Sequence, residues 1–405
     1  VWLLISAFYA PFKFEAGKSL ENYLLYFLIF IVATNLQIEK KVFYIWIASG
    51  IIASITGIFQ YYGPRHYAIS TFGNPNFYSG HIIMVLCLSF SNLLNFKEYR
   101  KEKYGNLFKL IDILCLFFGI WGLIVADSKA AIMAFILGLT FIWYFHNQER
   151  KDFLKYTGLI FALLIIIFFS PKIIFWYKNN IRYYIWSGTL KLIFKKPFFG
   201  WGLGNFIFFY PYFRVKEYFL QPESRHVTNH PHNEFLEIWS ETGLIGLLLF
   251  LFLISFFIIS VIKKREKKSN ILLPGIMGGI ISVLFDNIFS TNMRNPSTSM
   301  YFWFLMGITF NYFKKEKIPS EFSKILWYTI FITSFVMSVF HSYYRILPEV
   351  FFKRGEDFKD LKIYDRSIKN YFYATVLNPY NYECWYKLAY VYGEAGNYKE
   401  SEKIY

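Results

Sequence analysis

The chain has 405 residues, of which 55% are hydrophobic, 23% aromatic and only 17% charged, and its mean hydropathy is +0.32. This composition excludes an ordinary soluble globular protein and indicates a polytopic membrane protein. The net charge of +16 resides in short loops rather than on an aromatic-rich soluble face, so we expect no nucleic acid as a partner.

Apolar runs of about 20 residues, the length that crosses a bilayer as a helix, recur through most of the chain. They are continuously apolar rather than alternating, which favours helices. We expect an all-α fold, a polytopic transmembrane helix bundle. The predicted spans, about eleven in all, are 1–10, 20–36, 42–61, 81–94, 110–126, 130–145, 156–170, 235–262, 271–289, 299–313 and 325–341.

The loops between these spans differ in charge. Basic clusters fall in every second loop, and the positive-inside rule places those loops in the cytoplasm. They lie at residues 39–41, 97–109, 150–155, 263–268 and 314–317. The segments expected outside are 12–19, 62–80, 127–129, 171–233, 286–298 and the region after 341.

The outer segment 62–80 contains Arg65 and, at residues 71–76, the sequence Thr-Phe-Gly-Asn-Pro-Asn. Gly, Asn and Pro are typical of turns, and here they place the amides of Asn74 and Asn76 at the mouth of the next helix. Turn formation alone is the alternative to a role in substrate binding.

A short polar hinge, Asp-Ser-Lys at residues 127–129, separates two predicted spans. The hinge is so short that Lys129 must lie at the membrane interface. Lys129 could contact an anionic substrate there, or it could simply extend its amine to water.

The long outer segment 171–233 opens with Arg-Tyr-Tyr-Ile-Trp at residues 182–186, followed by apolar residues at helical spacing. This pattern predicts an amphipathic helix that lies on the membrane. Arg182 would then be at the interface, where binding to lipid phosphate is the alternative to a role in an active site.

Three glycines alternate in Phe-Phe-Gly-Trp-Gly-Leu-Gly-Asn at residues 198–205. A nucleotide-binding loop would require a preceding strand and a following Lys-Ser or Lys-Thr, and the sequence has neither. We therefore expect a tight turn whose backbone amides are free to meet a ligand.

The end of this outer segment runs directly into an apolar run and carries many ionisable side chains. Ionisable groups at a membrane boundary are candidates for function because they are costly there. His232 is the candidate general base, since histidine has a suitable pKa near neutrality, and Asn233 and Glu234 would fix it. Arg225 and His230 are further candidate contacts.

Two questions about this cluster stay open at the sequence level. The imidazoles of His226, His230 and His232 could converge on zinc, although an intervening proline and the lack of a fourth ligand disfavour it. Glu237 and Glu241 could orient the base, or could merely favour the start of the helix through its dipole.

After residue 341 the apolar spans give way to a pattern that resembles tetratricopeptide repeats of about 34 residues. We expect a membrane domain at 1–345 and an outward-facing α-helical repeat region at 346–405, which could bind a peptide or protein. A helical hairpin packed on the membrane domain is the alternative. The chain starts inside an apolar run and stops within a repeat, so we expect a fragment at both ends.

The pattern His232-Asn233, nine residues, Gly243, two residues, Gly246 resembles the hallmark of the O-antigen ligase and polymerase family of bacterial membrane glycan transferases. Residues 72–76, 182–186 and 197–206 support the resemblance, in the family order. One departure is Ser-Lys at residues 128–129, where relatives usually have Ser-Arg. Lysine keeps the charge but loses the bidentate fork.

The resemblance implies a glycan donor linked through pyrophosphate to a polyprenol, and an acceptor hydroxyl on a lipid, glycan or protein. It places the site on the outer, periplasmic side of the bacterial plasma (inner) membrane. The outer loops lack a paired acidic motif, so we expect no metal and no cofactor, and Arg182, Arg225, Arg65 and Lys129 would stabilise the leaving pyrophosphate. His232 would act as base. The other expected substrate contacts are Asn74, Asn76, His230, Asn233 and Glu234.

We therefore expect an inverting, metal-independent glycan transferase that is a ligase, a polymerase or a protein transferase. The repeats favour a ligase or protein transferase, because they could present an acceptor. Two other classes are a solute transporter, which needs ionisable residues at mid-bilayer, and a membrane-anchored repeat scaffold. Charges gathered in the loops and the large number of spans favour the enzyme.

Overall fold

The computed structural model describes residues 1–36, 39–64, 66–99, 104–146, 180–221, 228–263, 272–313 and 346–404, with isolated positions between 325 and 343. Every regular element in these residues is helical, which confirms the all-α prediction for this part of the chain. The longer helices are α1 (Trp2–Tyr9), α2 (Lys13–Ala33), α3 (Lys40–Tyr62), α4 (Pro75–Leu94), α5 (Gly105–Val125), α6 (Lys129–His146), α7 (Ile181–Lys195), α8 (Glu234–Lys263), α9 (Leu273–Asp286), α10 (Pro296–Phe313), α11 (Leu347–Asp360), α12 (Tyr364–Leu377), α13 (Tyr382–Glu394) and α14 (Tyr398–Ile404).

Six of these helices, α2 to α6 and α8, are long and apolar enough to cross a membrane. They support an integral membrane protein. The count of about eleven spans is not confirmed, because α1 has 8 residues and α9 has 14. The predicted span 156–170 and most of 325–341 lie outside the described residues.

Helix α4 is the centre of the bundle. In an apolar 18-residue stretch of α4, 78% of the residues are buried, whereas in the corresponding stretch of α8 the figure is 22%. Helices α3, α5, α6 and α9 pack around α4. Small residues permit close approach: a Cβ added to Gly138 of α6 would lie 2.9 Å from the carbonyl oxygen of Gly278 in α9. The position of α4 matters because its N-terminal end carries Asn74 and Asn76.

Helix α8 breaks at Gly243, which has φ +70° and ψ −179°. The break frees backbone groups that lie next to the membrane, where an unpaired amide or carbonyl is costly. The glycine-containing loop at residues 197–202 pairs with them. The amide of Trp201 donates to Ser240 at 2.9 Å, and the amide of Leu244 donates to Pro197 at 2.8 Å. The loop and the break therefore form one structural unit.

The prediction of free amides in the glycine loop is wrong. Gly200, Gly202 and Gly204 do adopt positive φ, of 74°, 98° and 70°, as a tight turn requires. However, Gly200 donates its amide to Lys196, and Gly202 donates to Glu241 at 2.9 Å. The amide of Gly204 bonds to the Glu241 side chain. The loop uses these amides to hold α8 rather than to bind a ligand.

The helix predicted after Arg182 is present as α7. Its buried face, with Ile185 and Leu192, packs against the segment 206–220 in a small core of its own. Trp201 closes one edge of this core by donating its indole N–H to the carbonyl of Leu192 at 2.9 Å. The outer segment is thus a packed structure that can hold Arg182 in place.

The helices α11 to α14 repeat with a period of 34 residues. Ser367 Oγ donates to the Gly355 carbonyl at 2.7 Å, and the equivalent pair 34 residues later, Ser401 and Ala389, is bonded at 2.8 Å. The left-handed residues at Lys362 and Gly396 recur with the same spacing. The period is built into the structure, while the tetratricopeptide assignment itself stays a prediction.

The chain divides into two compact units. The first contains residues 1–11 and 18–314, and the second contains residues 12–17 and 315–405. The division at 314 precedes the predicted domain limit at 345, and most of the stretch between them lies outside the described residues. The predicted domain limits stay a prediction.

Gly243→Ala tests the helix break against a matched glycine. Alanine is strained at both Gly243 and Gly73, whose φ values are +70° and +72°. The strain is greater at Gly243, because its ψ of −179° places it in a region that essentially only glycine adopts. A Cβ at Gly243 would also overlap the Phe198 carbonyl, whereas Gly73 has nothing within 4 Å. We expect Gly243→Ala to lower the thermal unfolding temperature in detergent much more than Gly73→Ala does. Equal shifts would contradict the close packing of loop and break.

Candidate active site

The segment 228–233 is held by two hydrogen bonds, one at the start of α8 and one to α7. Asn233 caps α8 by accepting a bond from the Leu236 amide at 3.0 Å. Trp186 of α7 donates its indole N–H to the Pro231 carbonyl at 2.8 Å. His232 adopts φ +53°, a left-handed conformation that is rare outside glycine and is often found at functional sites.

A second polar turn lies at the start of α4. Asn74 caps this helix by accepting a bond from the Asn76 amide at 2.8 Å. The side chain of Asn76 in turn accepts a bond from Ser128 Oγ at 3.4 Å. The turn 71–76 and the hinge 127–129, predicted on the same side of the membrane, are therefore neighbours.

These segments enclose a cavity of about 340 Å³. Its volume falls within the range of sites for small ligands, about 300–1,000 Å³. It brings together side chains from four separate segments of the sequence. The lining residues are Asn74, Asn76, Phe77, Ile181, Ile185, Thr228, Asn229, His230, His232, Ser290 and Thr291.

The loop after α9 closes one wall of this cavity. Asp286 fixes that loop, because its buried carboxylate accepts bonds from Ser290 Oγ at 2.7 Å and from the Asn292 amide. Ser290 and Thr291 line the cavity through this arrangement. The sequence analysis had not selected them.

Arg182 lies in the first turn of α7, close to His232. Its Nη1 donates to the carbonyl of Phe289 at 2.9 Å, which ties α7 to the loop after α9. Its positive charge contributes to lowering the pKa of His232. Arg182 therefore provides a fixed cation near the candidate base.

The two cavity histidines have opposite pKa shifts. Burial, reinforced by the charges of Arg182 and His230, lowers the pKa of His232 to about 4. The neighbouring carboxylate of Glu237 raises the pKa of His230, since Glu237 Oε1 lies 2.8 Å from His230 Nδ1. At neutral pH His232 is uncharged, and His230 is the imidazole that favours a proton.

Behind His230 lies an ion-pair cluster around Arg294. Its Nε is 3.0 Å from Glu234 Oε1 and 3.7 Å from Glu237 Oε1, and its Nη1 is 3.0 Å from Glu241 Oε2. The carboxyl side chains are 2% exposed and the arginine 13%. The cluster connects the head of α8 to the loop after α9.

A family model described as O-antigen ligase matches residues 114–251. The match supports the O-antigen ligase family. It contains Arg182, both cavity histidines and Gly243, whereas Asn74, Asn76 and Arg294 lie outside it. Among curated proteins no match was found.

The O-antigen ligase family supports a membrane glycan ligase or polymerase in general terms. The cavity joins four of the residues that the sequence analysis selected, namely Asn74, Asn76, His230 and His232. The structure places Asn233 at the helix cap and Glu234 in the ion pair with Arg294, and neither lines the cavity.

Other selected residues stay untested. Arg65, Arg225 and His226 lie outside the described residues. Lys129 is exposed at the start of α6, next to the Ser128 that contacts Asn76. Within the described ranges, no group of three or more His, Cys, Asp or Glu residues could hold a metal ion.

Arg294 is the main residue that sequence reasoning missed. A usable signal was present: Glu234, Glu237 and Glu241 recur at helical spacing and so share one face of α8. Three carboxylates on one face at a membrane boundary require a cation. Arg294 lies in the predicted outer segment 286–298 and could have been proposed for that role.

Asn233→Ala tests whether this residue acts as a helix cap. Removing the bond to the Leu236 amide should destabilise the protein by about 1 kcal/mol. Asn233→Ser should restore most of the loss, because serine also caps helices. Thermal unfolding of the three proteins provides the measurement. If alanine and serine variants lose the same stability, the cap is not what Asn233 contributes.

Proposed function

We propose that this protein transfers a glycan from a polyprenyl-pyrophosphate donor to an acceptor hydroxyl at the outer face of the bacterial plasma membrane. The family match supports the general class. The observation that carries the proposal is the cavity itself, in which an uncharged His232 lies among polar side chains with the guanidinium of Arg182 close by.

The proposed reaction is a single displacement. The acceptor O–H transfers its proton to the neutral imidazole of His232 while its oxygen attacks C1 of the donor sugar. The bond between C1 and the pyrophosphate oxygen breaks, and its electron pair leaves with the pyrophosphate. Attack on the face opposite the leaving group inverts the configuration at C1. No metal is required for any of these steps.

Fixed cations would stabilise the departing pyrophosphate. Arg182 is held by its bond to Phe289 and needs little reorganisation. Lys129, Arg65 and Arg225 are proposed to add charge from neighbouring outer loops. Asn74 and Asn76 line the cavity and are proposed to bind the sugar hydroxyls.

In this proposal, the helical repeats of the second compact unit suggest the class of acceptor. A 34-residue helical repeat on the outer side could bind a peptide or protein segment. This favours ligation to a lipid core or transfer to protein over polymerisation.

A solute transporter is the competing class, and one observation bears on it. Asp112 is fully buried within α5, among the apolar helices. Tyr44 donates to one of its oxygens at 3.0 Å and Asn92 donates to the other at 3.2 Å. With both oxygens bonded to neighbouring helices, this carboxyl is better suited to joining helices than to binding a transported solute.

A transfer assay in membrane vesicles tests the function. With polyprenyl-pyrophosphate glycan and candidate acceptors, His232→Ala should reduce the rate by about 10²–10⁴-fold and Arg182→Ala by about 10²–10³-fold. The exposed residues His146 and Lys191 provide matched controls, and their alanine variants should retain full transfer.

Full transfer by both His232→Ala and Arg182→Ala would remove the assignment of the site. Transfer by the wild-type protein should continue after chelation of divalent metals. Loss of activity on chelation would instead support a metal-dependent reaction.

The pH dependence of transfer tests the state of His232. The pKa of His232 is lowered to about 4, so the neutral base is present above pH 4 and is lost as the pH falls through that value. We expect the acid limb of kcat/KM to lie in that range. Arg182→Gln should move this limb to higher pH, because it removes a charge that lowers the pKa. An acid limb near 6.5, the ordinary value, would contradict a buried base.

A further inference from the structure

The cluster behind the cavity has more acidic groups than its arginine can neutralise. Glu234, Glu237 and Glu241 lie on one face of α8, each 2% exposed, around the single guanidinium of Arg294. Buried carboxylates without a matching cation are strongly unfavourable. A second positive charge near this face would therefore stabilise the ionised carboxylates.

His230 is placed to supply that charge. Its Nδ1 lies 2.8 Å from Glu237 Oε1, the same oxygen that lies 3.7 Å from Arg294 Nε. The other oxygen of Glu237 is buried and has no hydrogen-bond partner within the described residues. Glu237 therefore contacts the permanently charged Arg294 on one side and the titratable His230 on the other.

His230 also reaches the cavity. Its side chain is 41% exposed, and the ring lines the same cavity as His232. Because Nδ1 is committed to Glu237, Nε2 is the ring nitrogen that remains to donate to a ligand. A protonated imidazole in this position presents a positive N–H group to an anion.

We propose that Glu237, held in place by Arg294, is a positioning residue that keeps His230 protonated, and that His230 binds the pyrophosphate of the donor as a second cation beside Arg182. This inference rests on the proposed function, since it takes pyrophosphate as the anion in the cavity. The two neighbouring imidazoles then have different roles, because His232 is the neutral base and His230 is the cation that binds pyrophosphate.

The charged groups around His230 act together. Glu237 and Glu241 of α8 favour its protonation, whereas Arg294 from the loop after α9 opposes it. His230 in turn lowers the pKa of His232, as Arg182 does from α7. Protonated His230 therefore also helps to keep the neighbouring base uncharged.

The first test is a titration of the histidine side chains by NMR, using the full chain in detergent. Signals are assigned with His230→Gln and His232→Gln. We expect His230 to titrate above 6.5 in the wild-type protein, because Glu237 raises its pKa. Glu237→Gln should lower that pKa, and Glu237→Asp should restore part of it. The exposed carboxylate of Glu217 provides the control, and Glu217→Gln should leave the titration unchanged.

The second test measures binding of inorganic pyrophosphate to the same proteins. His230→Gln should weaken binding by about tenfold or more, the effect of losing a hydrogen bond from a charged group. Glu217→Gln, at an exposed carboxylate outside the cavity lining, should bind as the wild-type protein does. In the wild type, binding should weaken as the pH rises through the pKa of His230, and Glu237→Gln should move that transition to lower pH.

These measurements separate the inference from the proposed function. A His230 pKa below 6.5 in the wild-type protein would overturn the inference even if Glu237→Gln failed to fold, and so would unchanged pyrophosphate binding by His230→Gln. If the wild-type protein transferred no glycan in the vesicle assay while the titration and the pyrophosphate binding behaved as expected, the proposed function would fail and the Glu237–His230 pair would stand.

Discussion

The site depends on the backbone pairing between the break in α8 and the loop 197–202. One helix has to serve two environments, since its second part is apolar and its head carries three carboxylates. Gly243 changes the direction of the chain between them, and the loop satisfies the backbone groups that the break exposes. These residues are buried away from water, so the pairing satisfies their backbone groups and also fixes the angle between the head and the rest of the helix. The position of the segment 228–233, and with it both histidines, follows from that angle.

The electrostatics of the site are arranged in two layers. Carboxylates and Arg294 form an inner layer in which nearly every charge is buried. The cavity wall forms an outer layer of amides, hydroxyls and imidazoles. The contact of Glu237 with His230 joins the layers. Glu237 therefore acts on the cavity by raising the pKa of His230, while its own buried carboxylate does not line the cavity.

The sequence analysis identified several residues that line the cavity, but not the tertiary contacts that hold them in place. Asn74, Asn76, His230 and His232 could be selected because turn chemistry and ionisable groups at a membrane boundary are local signals. Their meeting in one cavity depends on helix packing, which the sequence suggested only through the side of the membrane. The sequence analysis did not select Arg294, because its carboxylate partners lie on α8, far from it in the sequence. The glycine loop was misjudged for a similar reason: positive φ is a local property, but the partner of each amide is decided by tertiary contacts.

The hydrogen bonds of Asp112 have a consequence for the cavity at the other end of α4. Asn92 near the C-terminal end of this helix is bonded to Asp112, and Asn76 lies at its N-terminal end. A helix turns by about 100° per residue, so a slip of one position would swing every side chain to another face. The buried carboxyl fixes the rotation of α4 against α3 and α5, and it thereby directs Asn76 to the cavity at the other end of the helix.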